Sequence, residues 1–327
     1  MAKITDKSFK SKEAATFVEI MDRIQTQNPD MGGIFLEATG MQGVAKTAVI
    51  LTFAEDTIKN HPDQKLFWRN PFFAPFQFTK LDPDKWEILL EENANITFHD
   101  RDDGLKQIEL NYRTFTDFED LYRKAKPGIL TAVFFENEIK WYDFIHYLRG
   151  VGKWTHVFLD EYGELFPANP SGALYHRIIN ISNDLKEVRK CYINVYATTQ
   201  VTSDVDWRVR SKIMILAYLY GARPVSASRV TQMAIDALDR NIVKGNEVWL
   251  EEGFGRFGKG RFTKIYKPKP YMNWQANKPE DTIKITDYLE KGFDPDKEEK
   301  KKKKKAKKKS KPSEPRTNRK RKQVGSV

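Results

Sequence analysis

Hydrophobic and polar positions along the chain form blocks that predict strands separated by helices. Short apolar runs predict buried strands, and longer amphipathic stretches predict the helices between them. The predicted strands are 33–38, 65–70, 128–135, 155–159, 191–198 and 213–220, and the predicted helices are 46–60, 115–124, 137–150, 175–189 and 206–212. Strands spaced by helices of this length imply βαβ units, so the pattern predicts an α/β fold with a mostly parallel central sheet flanked by helices.

Four further segments complete the predicted organisation. An N-terminal helical segment (1–30) precedes the main domain (31–275), and a linker (276–296) follows it. Within the domain, residues 72–112 alternate polar and aromatic positions, which predicts an antiparallel β insertion. Residues 245–270 predict a β-hairpin, with the stretch from Gly253 to Gly260 as its Gly-rich turn.

Charge separates the end of the chain from the rest. The 327 residues carry a net charge of +11, but residues 297–327 contain 16 Lys or Arg and 3 Glu, a net of +13. The other 296 residues hold 40 basic and 42 acidic side chains and are therefore close to neutral. The tail has no aromatic residue, which predicts disorder, and like-charge runs of this kind bind polyanions such as DNA. A solubilising tail without a specific partner and a nuclear import signal are the alternatives.

Composition excludes several classes of protein. No apolar run approaches the roughly 18 residues of a membrane span, and the N-terminus lacks a signal-peptide pattern, so the expected location is cytoplasmic. The single cysteine, Cys191, excludes an intramolecular disulfide and a Cys-rich zinc site. The five histidines are scattered without the spacing of zinc ligands.

A glycine-containing loop follows the first predicted strand and precedes a predicted helix. Its sequence nearly matches G-x-x-x-x-G-K-[S/T], in which backbone N–H groups surround a phosphate, the lysine reaches the β- and γ-phosphates and the hydroxyl binds magnesium. Ala45 stands in place of the second glycine, which is acceptable if this residue has helical dihedral angles. The predicted nucleotide-binding residues are Gly40, Met41, Gln42, Gly43, Val44, Ala45, Lys46 and Thr47, with ATP and Mg²⁺ as cofactors.

A pair of carboxylates ends the apolar strand 155–159. Charges at the end of a buried strand need a reason, and a magnesium-bound nucleotide at the carboxyl edge of the sheet provides one. We expect Asp160 to hold magnesium together with Thr47, and Glu161 to orient and deprotonate the attacking water. The order of this pair after the glycine-containing loop predicts an ATPase.

Candidates for additional catalytic groups follow the next strand. Gln200 at its tip is a candidate sensor of the γ-phosphate. Arg208 and Arg210, with Arg223 as a third candidate, have the planar and permanent charge suited to a transferring phosphoryl group. Each of these arginines is also compatible with an ordinary salt bridge.

These motifs, in this order, resemble the HerA/FtsK superfamily of DNA-pumping ATPases over about residues 31–224. The resemblance implies a RecA-like P-loop core that assembles as a ring, usually a hexamer, around DNA in its pore. It also implies that Gln200 is the sensor glutamine and that Arg208 or Arg210 acts on the nucleotide of a neighbouring subunit. The stretch from Asp160 to Pro167 further resembles the Zot-like proteins of filamentous phages, which usually carry a membrane span.

The function expected from these features is ATP hydrolysis coupled to DNA translocation, of the viral genome-packaging or plasmid type. One alternative is a nucleotide-regulated DNA-binding or partitioning protein with weak or no turnover, in which Ala45 marks a defective site. A Zot-like phage assembly protein is a second alternative, and a non-catalytic nucleic-acid-binding protein whose basic tail is the active part is a third.

Overall fold

The computed structural model describes residues 12–43, 45–71, 74, 76–100, 111–223, 232, 236, 247–253, 256–261 and 272–276. The predicted linker, apart from Ala276, and the basic tail lie outside these residues. The helices are α1 (Lys12–Thr26), α2 (Lys46–Asn60), α3 (Phe118–Lys124), α4 (Lys140–Arg149), α5 (Gly172–Glu187) and α6 (Trp207–Arg210). The strands are β1 (Phe35–Thr39), β2 (Lys65–Arg69), β3 (Trp86–Glu91), β4 (Ile96–Asp100), β5 (Arg113–Phe115), β6 (Leu130–Phe134), β7 (Thr155–Leu159), β8 (Ile193–Thr199), β9 (Ile215–Tyr218), β10 (Glu247–Glu252), β11 (Arg256–Arg261) and β12 (Met272–Ala276).

A ten-stranded sheet organises the domain, with strand order β11-β10-β9-β1-β8-β7-β2-β6-β3-β5. From β9 to β5 every neighbouring pair is parallel, and β10 and β11 add an antiparallel hairpin at one edge. The predicted α/β class with a mostly parallel sheet is therefore confirmed. In this order β1 lies between β8 and β9, and β8 also pairs with β7, so the strands that carry the predicted motifs are neighbours.

The two faces of the sheet are covered by different helices. Side chains of α1 and α2 pack on one face, where Leu36 and Ala38 of β1 point. Side chains of α4 and α5 pack on the other face, together with Phe35 of β1. Because side chains alternate along a strand, a strand covered on both faces is mostly apolar, which explains the predominantly apolar runs in the sequence.

The prediction of an antiparallel insertion over residues 72–112 is wrong for strand β3. Strand β3 pairs in parallel with β6 and with β5, as part of the main sheet. Its residues Ile88 and Leu90 face one core and Leu89 faces the other, so both faces are buried. The alternation of aromatic residues reported only one of these faces. Strand β4 does form an antiparallel pair, but its partner is the distant strand β12.

The turn of the C-terminal hairpin is shorter than predicted. Gly258 and Gly260 belong to strand β11, where Phe17 of α1 packs directly over them. A Cβ on Gly258 would lie 2.4 Å from the backbone nitrogen of Phe17, and one on Gly260 would lie 2.4 Å from its ring. These glycines therefore allow a helix to approach a strand closely, and turn geometry does not explain them.

None of the helices in the described ranges is long and apolar enough to cross a membrane.

Candidate active site

The predicted functional residues converge at the carboxyl edge of the parallel sheet. Strand β1 leads into the loop 40–47, β7 leads into Asp160 and Glu161, and β8 leads into Gln200. Parallel strands that are neighbours end at the same edge, so three segments far apart in sequence meet there. The structure thus brings together the loop, the acid pair and the glutamine.

The loop before α2 projects from the sheet edge and is exposed at Met41, Gln42 and Gly43. Its start is attached to the neighbouring strand connection, because the N–H of Met41 donates to the carbonyl of Tyr220 at 3.1 Å. Gly43 has a left-handed φ of 83°, which glycine adopts at little cost. Val44 lies outside the described residues.

Lys46 opens α2 and turns its side chain back into the loop. The side chain is buried, and Nζ donates to the carbonyl oxygen of Met41 at 3.2 Å and lies 3.8 Å from Oε1 of Glu161. Burial lowers the pKa of Lys46, while the carboxylates of Glu161 and Asp160 act in the opposite direction. The lysine therefore places a positive charge between the loop and the acid pair.

Ala45 does not have the helical dihedral angles that the sequence interpretation required. It is the residue immediately before α2, and its φ of 68° and ψ of 27° are left-handed. An L-residue with a Cβ is strained in this region, and glycine is not. The substitution of alanine for the second glycine thus leaves a local strain in the loop.

Asp160 occupies a buried position beside the start of α2. Its Oδ1 accepts hydrogen bonds from Thr198 Oγ1 at 2.7 Å and from Thr47 Oγ1 at 3.1 Å. Burial raises the pKa of Asp160, and the two hydroxyl donors together with the nearby Lys46 oppose this shift. A bound cation would offset the cost of burying this carboxylate.

Glu161 is held with its side chain between Lys46 and Gln200. Gln200 Nε2 donates to Glu161 Oε1 at 3.4 Å, and the N–H of Glu161 donates to Thr198 Oγ1 at 2.8 Å. Its φ of 46° is left-handed. Burial raises the pKa of Glu161, Lys46 lowers it, and the neighbouring Asp160 raises it further. A half-buried carboxylate with a raised pKa is a suitable proton acceptor.

Two residues that organise this site were not predicted as site residues. Thr198 connects both members of the acid pair, as described above. Arg69, at the end of β2, is fully buried, and its Nη1 donates to the carbonyl of Asp160 at 2.7 Å and to that of Glu161 at 3.4 Å. Its Nη2 pairs with the carboxylates of Glu138 and Glu164. An arginine directly after the apolar run Leu66–Trp68 was the available signal for this residue.

The predicted arginines lie on and after the short helix α6. Arg208 bonds to Asp206 through Nη1 at 2.9 Å and to the hydroxyl of Tyr175 through Nη2 at 3.0 Å. Arg210 lies close enough to the buried carboxyl of Glu37 to oppose the rise of its pKa. Arg223 is exposed. A role of any of them toward a second subunit stays a prediction.

The donors present at the site fit a magnesium ion that is shared with a nucleotide. Thr47 and Asp160 bring a hydroxyl and a carboxylate oxygen within hydrogen-bond distance of one another, and hard oxygen donors are what Mg²⁺ prefers. Over the described ranges, the chain has no group of three or more His, Cys, Asp or Glu side chains that could hold a metal. Mg²⁺ in phosphate-binding sites uses one or two protein ligands and takes the rest from phosphates and water, which agrees with this sparse set.

Comparisons with known proteins found similarities among solved structures. No family model matches the chain, and no curated protein matches it. Similar solved structures include the genome-packaging NTPase B204 of Sulfolobus turreted icosahedral virus 2 in complex with ATPγS, with 11% identity, a TM-score of 0.43 and coverage of 72% of this chain and 98% of that chain. The conjugation coupling protein TcpA of pCW3 shows 9% identity, a TM-score of 0.41 and coverage of 72% and 61%. The N-terminal domain of zonular occludens toxin from Neisseria meningitidis shows 13% identity, a TM-score of 0.30 and coverage of 72% and 87%.

At such identities and TM-scores, the likenesses do not decide what this chain binds or does.

Proposed function

We propose that this protein binds and hydrolyses ATP, and that hydrolysis drives the translocation of DNA. The observation that carries the first part is the convergence of Lys46, Thr47, Asp160, Glu161 and Gln200 from three neighbouring strand ends. A buried lysine, a hydroxyl next to a buried carboxylate, and a second carboxylate with a raised pKa are the groups that phosphoryl transfer to water requires.

The loop 40–47 and Lys46 form the phosphate-binding part of the site. Backbone N–H groups of the loop and the first turn of α2, with its partial positive charge, favour an anion at this position. Lys46 Nζ, which now bonds to the Met41 carbonyl and faces Glu161, is placed to exchange these contacts for phosphate oxygens. Thr47 and Asp160 would hold Mg²⁺, which supplies charge neutralisation on the phosphates when it is bound.

Glu161 performs the proton transfer in this proposal. Its carboxylate accepts the proton of the attacking water, and its raised pKa brings its basicity closer to that needed at neutral pH. Gln200, in contact with Glu161 at 3.4 Å, orients the same water or reports the γ-phosphate. Thr198 and Arg69 hold the backbone of the acid pair in place, so that the carboxylates do not need to reorganise during the reaction.

The coupling to DNA rests on the resemblance of the motifs and on the distribution of charge. The tail, with a net charge of +13, attracts DNA strongly and independently of its sequence, whereas the catalytic domain is near neutral. DNA attraction and catalysis therefore belong to different parts of the chain. We propose that the tail (residues 297–327) recruits DNA and that the domains assemble into a ring around it. Arg208 or Arg210 then contributes to the nucleotide site of the adjacent subunit, as arginines do in trans in related phosphoryl-transfer reactions.

ATPase measurements with and without double-stranded DNA test this proposal. We expect hydrolysis by the wild type, stimulation by DNA, and a loss of at least about 100-fold in Lys46→Ala, because the buried cation of the phosphate site is removed. Lys59→Ala is the matched control, since Lys59 is an exposed lysine at the other end of the same helix. Full DNA-stimulated turnover in Lys46→Ala would exclude the assigned site.

Two further measurements test the assembly and the tail. Native mass determination with and without ATP is expected to show a closed oligomer. A chain that ends at residue 296 is expected to keep its basal ATPase activity and to lose most of its affinity for DNA at low salt. Loss of basal activity in this chain would contradict the separation of catalysis from DNA recruitment.

The strained Ala45 favours one alternative, a nucleotide-regulated DNA-binding or partitioning protein with little turnover. Strain at the turn into α2 could hold the loop in a geometry that binds ATP without completing hydrolysis. The same assays separate the two functions. Tight ATP binding without measurable turnover, with or without DNA, would support the alternative.

A further inference from the structure

A glutamate lies in the middle of the central strand, three residues before the phosphate loop. Glu37 is 0% exposed. Because side chains alternate along β1, it points to the opposite face from Leu36 and Ala38, which pack in the core cluster of α1 and α2. A fully buried carboxylate in a central strand is costly unless its partners offset the cost, so those partners are informative.

Both carboxylate oxygens of Glu37 are bonded, and each partner comes from a different active-site segment. Oε2 accepts from the hydroxyl of Tyr162, the residue directly after Glu161. Oε1 accepts from the hydroxyl of Thr202 at 3.0 Å, two residues after Gln200. The glutamate therefore connects the segment that carries the proposed base to the segment that carries the proposed sensor.

Charged and titratable groups from the other neighbouring elements also face Glu37. Arg210 of α6 opposes the rise of its pKa, and Tyr218 of β9 lies within its electrostatic reach. The hydroxyl oxygen of Thr39, on the same strand, lies 3.3 Å from the hydroxyl oxygen of Thr202. Arg210 is also one of the candidate arginines for a neighbouring subunit.

We propose that Glu37 is a positioning residue for hydrolysis, whose ionised carboxylate holds the Glu161 segment and the Gln200 segment in register with each other. This proposal rests on the proposed ATPase function and adds a residue that does not touch the nucleotide.

The hydrogen-bond inventory explains why the ionised form is required. A carboxylate only accepts, so it can receive both hydroxyl protons at once. A protonated carboxyl, or a glutamine in its place, presents a donor on one of its two sides, so that the hydroxyl on that side can no longer donate and must accept instead. Burial, followed by the carboxylate of Glu37, raises the pKa of Tyr162 well above its usual range, so this hydroxyl keeps its proton and remains a donor.

The raised pKa of Glu37 places its ionisation within the pH range of an activity assay. Burial raises the pKa of Glu37 to about 7, against the hydrogen bonds from Tyr162 and Thr202 and the charge of Arg210, which lower it. The fraction of ionised Glu37 therefore increases as the pH rises through 7. If the ionised form holds the two segments together, kcat rises over the same range.

Glu37→Gln in the full-length chain tests the proposal, with kcat, KM and thermal unfolding measured from pH 5.5 to 8.5. We expect kcat at pH 8 to fall by roughly tenfold, the effect of one lost charge-assisted hydrogen bond, with little change in KM. The pH dependence near 7 that the wild type shows should be absent in the variant. The melting temperature at pH 8 should not fall, because the variant no longer buries a charge. A residue that served stability alone would not combine these three results.

Asp184→Asn is the matched control, since Asp184 is another buried carboxylate but lies near the end of α5, where it pairs with Arg149 of α4. It should lower the melting temperature and leave kcat unchanged. Tyr162→Phe and Thr202→Val each remove one hydroxyl and should lower kcat to a similar extent, with little further loss when combined with Glu37→Gln. These two variants keep the test decisive even if Glu37→Gln does not fold.

The outcomes separate the two proposals. Wild-type hydrolysis together with an unchanged kcat and pH profile in Glu37→Gln, or in both hydroxyl variants, would overturn the role of Glu37 and leave the ATPase function standing. Absence of any hydrolysis in the wild type would overturn both.

Discussion

The strained backbone of Ala45 makes Ala45→Gly the most direct test of the phosphate-loop geometry. Ala45 is exposed, so its Cβ contributes little burial, and its substitution by glycine changes mainly the backbone preference. Its φ of 68° and ψ of 27° lie in the region that glycine enters freely. The substitution restores the residue that the loop pattern carries at this position.

Two opposing terms determine the size of the effect. Holding an L-residue in the left-handed region costs about 1–2 kcal/mol, and glycine avoids this cost. Glycine also gains freedom in the unfolded chain, which destabilises the folded state by roughly 0.5–1 kcal/mol relative to alanine. The net expectation is a gain of about 0.5–1 kcal/mol in the free energy of unfolding. For a domain of this size, it corresponds to a rise of roughly 1–4 °C in melting temperature.

Chemical and thermal unfolding of the two proteins provide the measurement. Ala48→Gly is the matched control, because Ala48 lies one turn further along, inside α2, where glycine should cost about 1 kcal/mol. The two substitutions are chemically identical and should have opposite signs. A loss of stability in Ala45→Gly that equals the loss in Ala48→Gly would refute the left-handed conformation of Ala45.

Three further predictions follow from the described contacts. Glu161→Gln should reduce turnover by at least about 100-fold, because the proton acceptor is lost. Nucleotide affinity, measured by equilibrium binding, should be retained. Turnover within a few-fold of the wild type would exclude Glu161 as the base. Arg69→Met should lower the free energy of unfolding, measured with denaturant, by about 3–5 kcal/mol, because Glu138 is left without its buried partner. Arg177→Met, which breaks an exposed pair, should lower it by less than about 1 kcal/mol. Equal losses in the two variants would contradict the buried role of Arg69. The stability of Glu37→Gln relative to the wild type should increase by about 3 kcal/mol between pH 4.5 and pH 8, since the wild-type pKa is raised from 4.5 to about 7 in the folded state and each unit corresponds to about 1.4 kcal/mol. The sign follows because the folded wild type binds more protons than the unfolded chain over this range, so its stability falls as the pH rises through 7. A stability difference that does not change with pH would contradict it.

Local patterns in the sequence predicted much of the fold. Mostly apolar runs such as Leu130–Phe134 identified buried strands, because a strand covered on both faces has no solvent-exposed polar side. Residues 86–91 were wrongly predicted to pair in an antiparallel arrangement, because the alternation of aromatic residues reports one face of a strand and not the direction of its partner strand. Gly258 and Gly260 were assigned to a turn, because the sequence does not show that Phe17 lies over them.

The candidate site, like the fold, was predicted only in part from the sequence. The loop 40–47 and the pair Asp160–Glu161 were predicted as site residues because the chemistry of a phosphate site demands particular residue types at short spacing. Their convergence followed from one long-range inference, that strands separated by helices run in parallel and end at one edge. Nothing in the spacing indicated that Ala45 has a left-handed backbone, because dihedral angles at a loop are decided by the segments that it joins.

What the sequence by itself determined is the set of chemical groups and the order of the elements that carry them, since both are written in residue types and local periodicity. The tertiary structure alone decided which groups meet. Arg69 contacts the acid pair across 91 and 92 positions, and Glu37 reaches Tyr162 and Thr202 across 125 and 165 positions. Such contacts have no local signature, because each depends on strand order and on which face of the sheet a side chain takes. Burial then changes their chemistry, and only the folded chain excludes the water that would otherwise leave each carboxyl at its ordinary pKa.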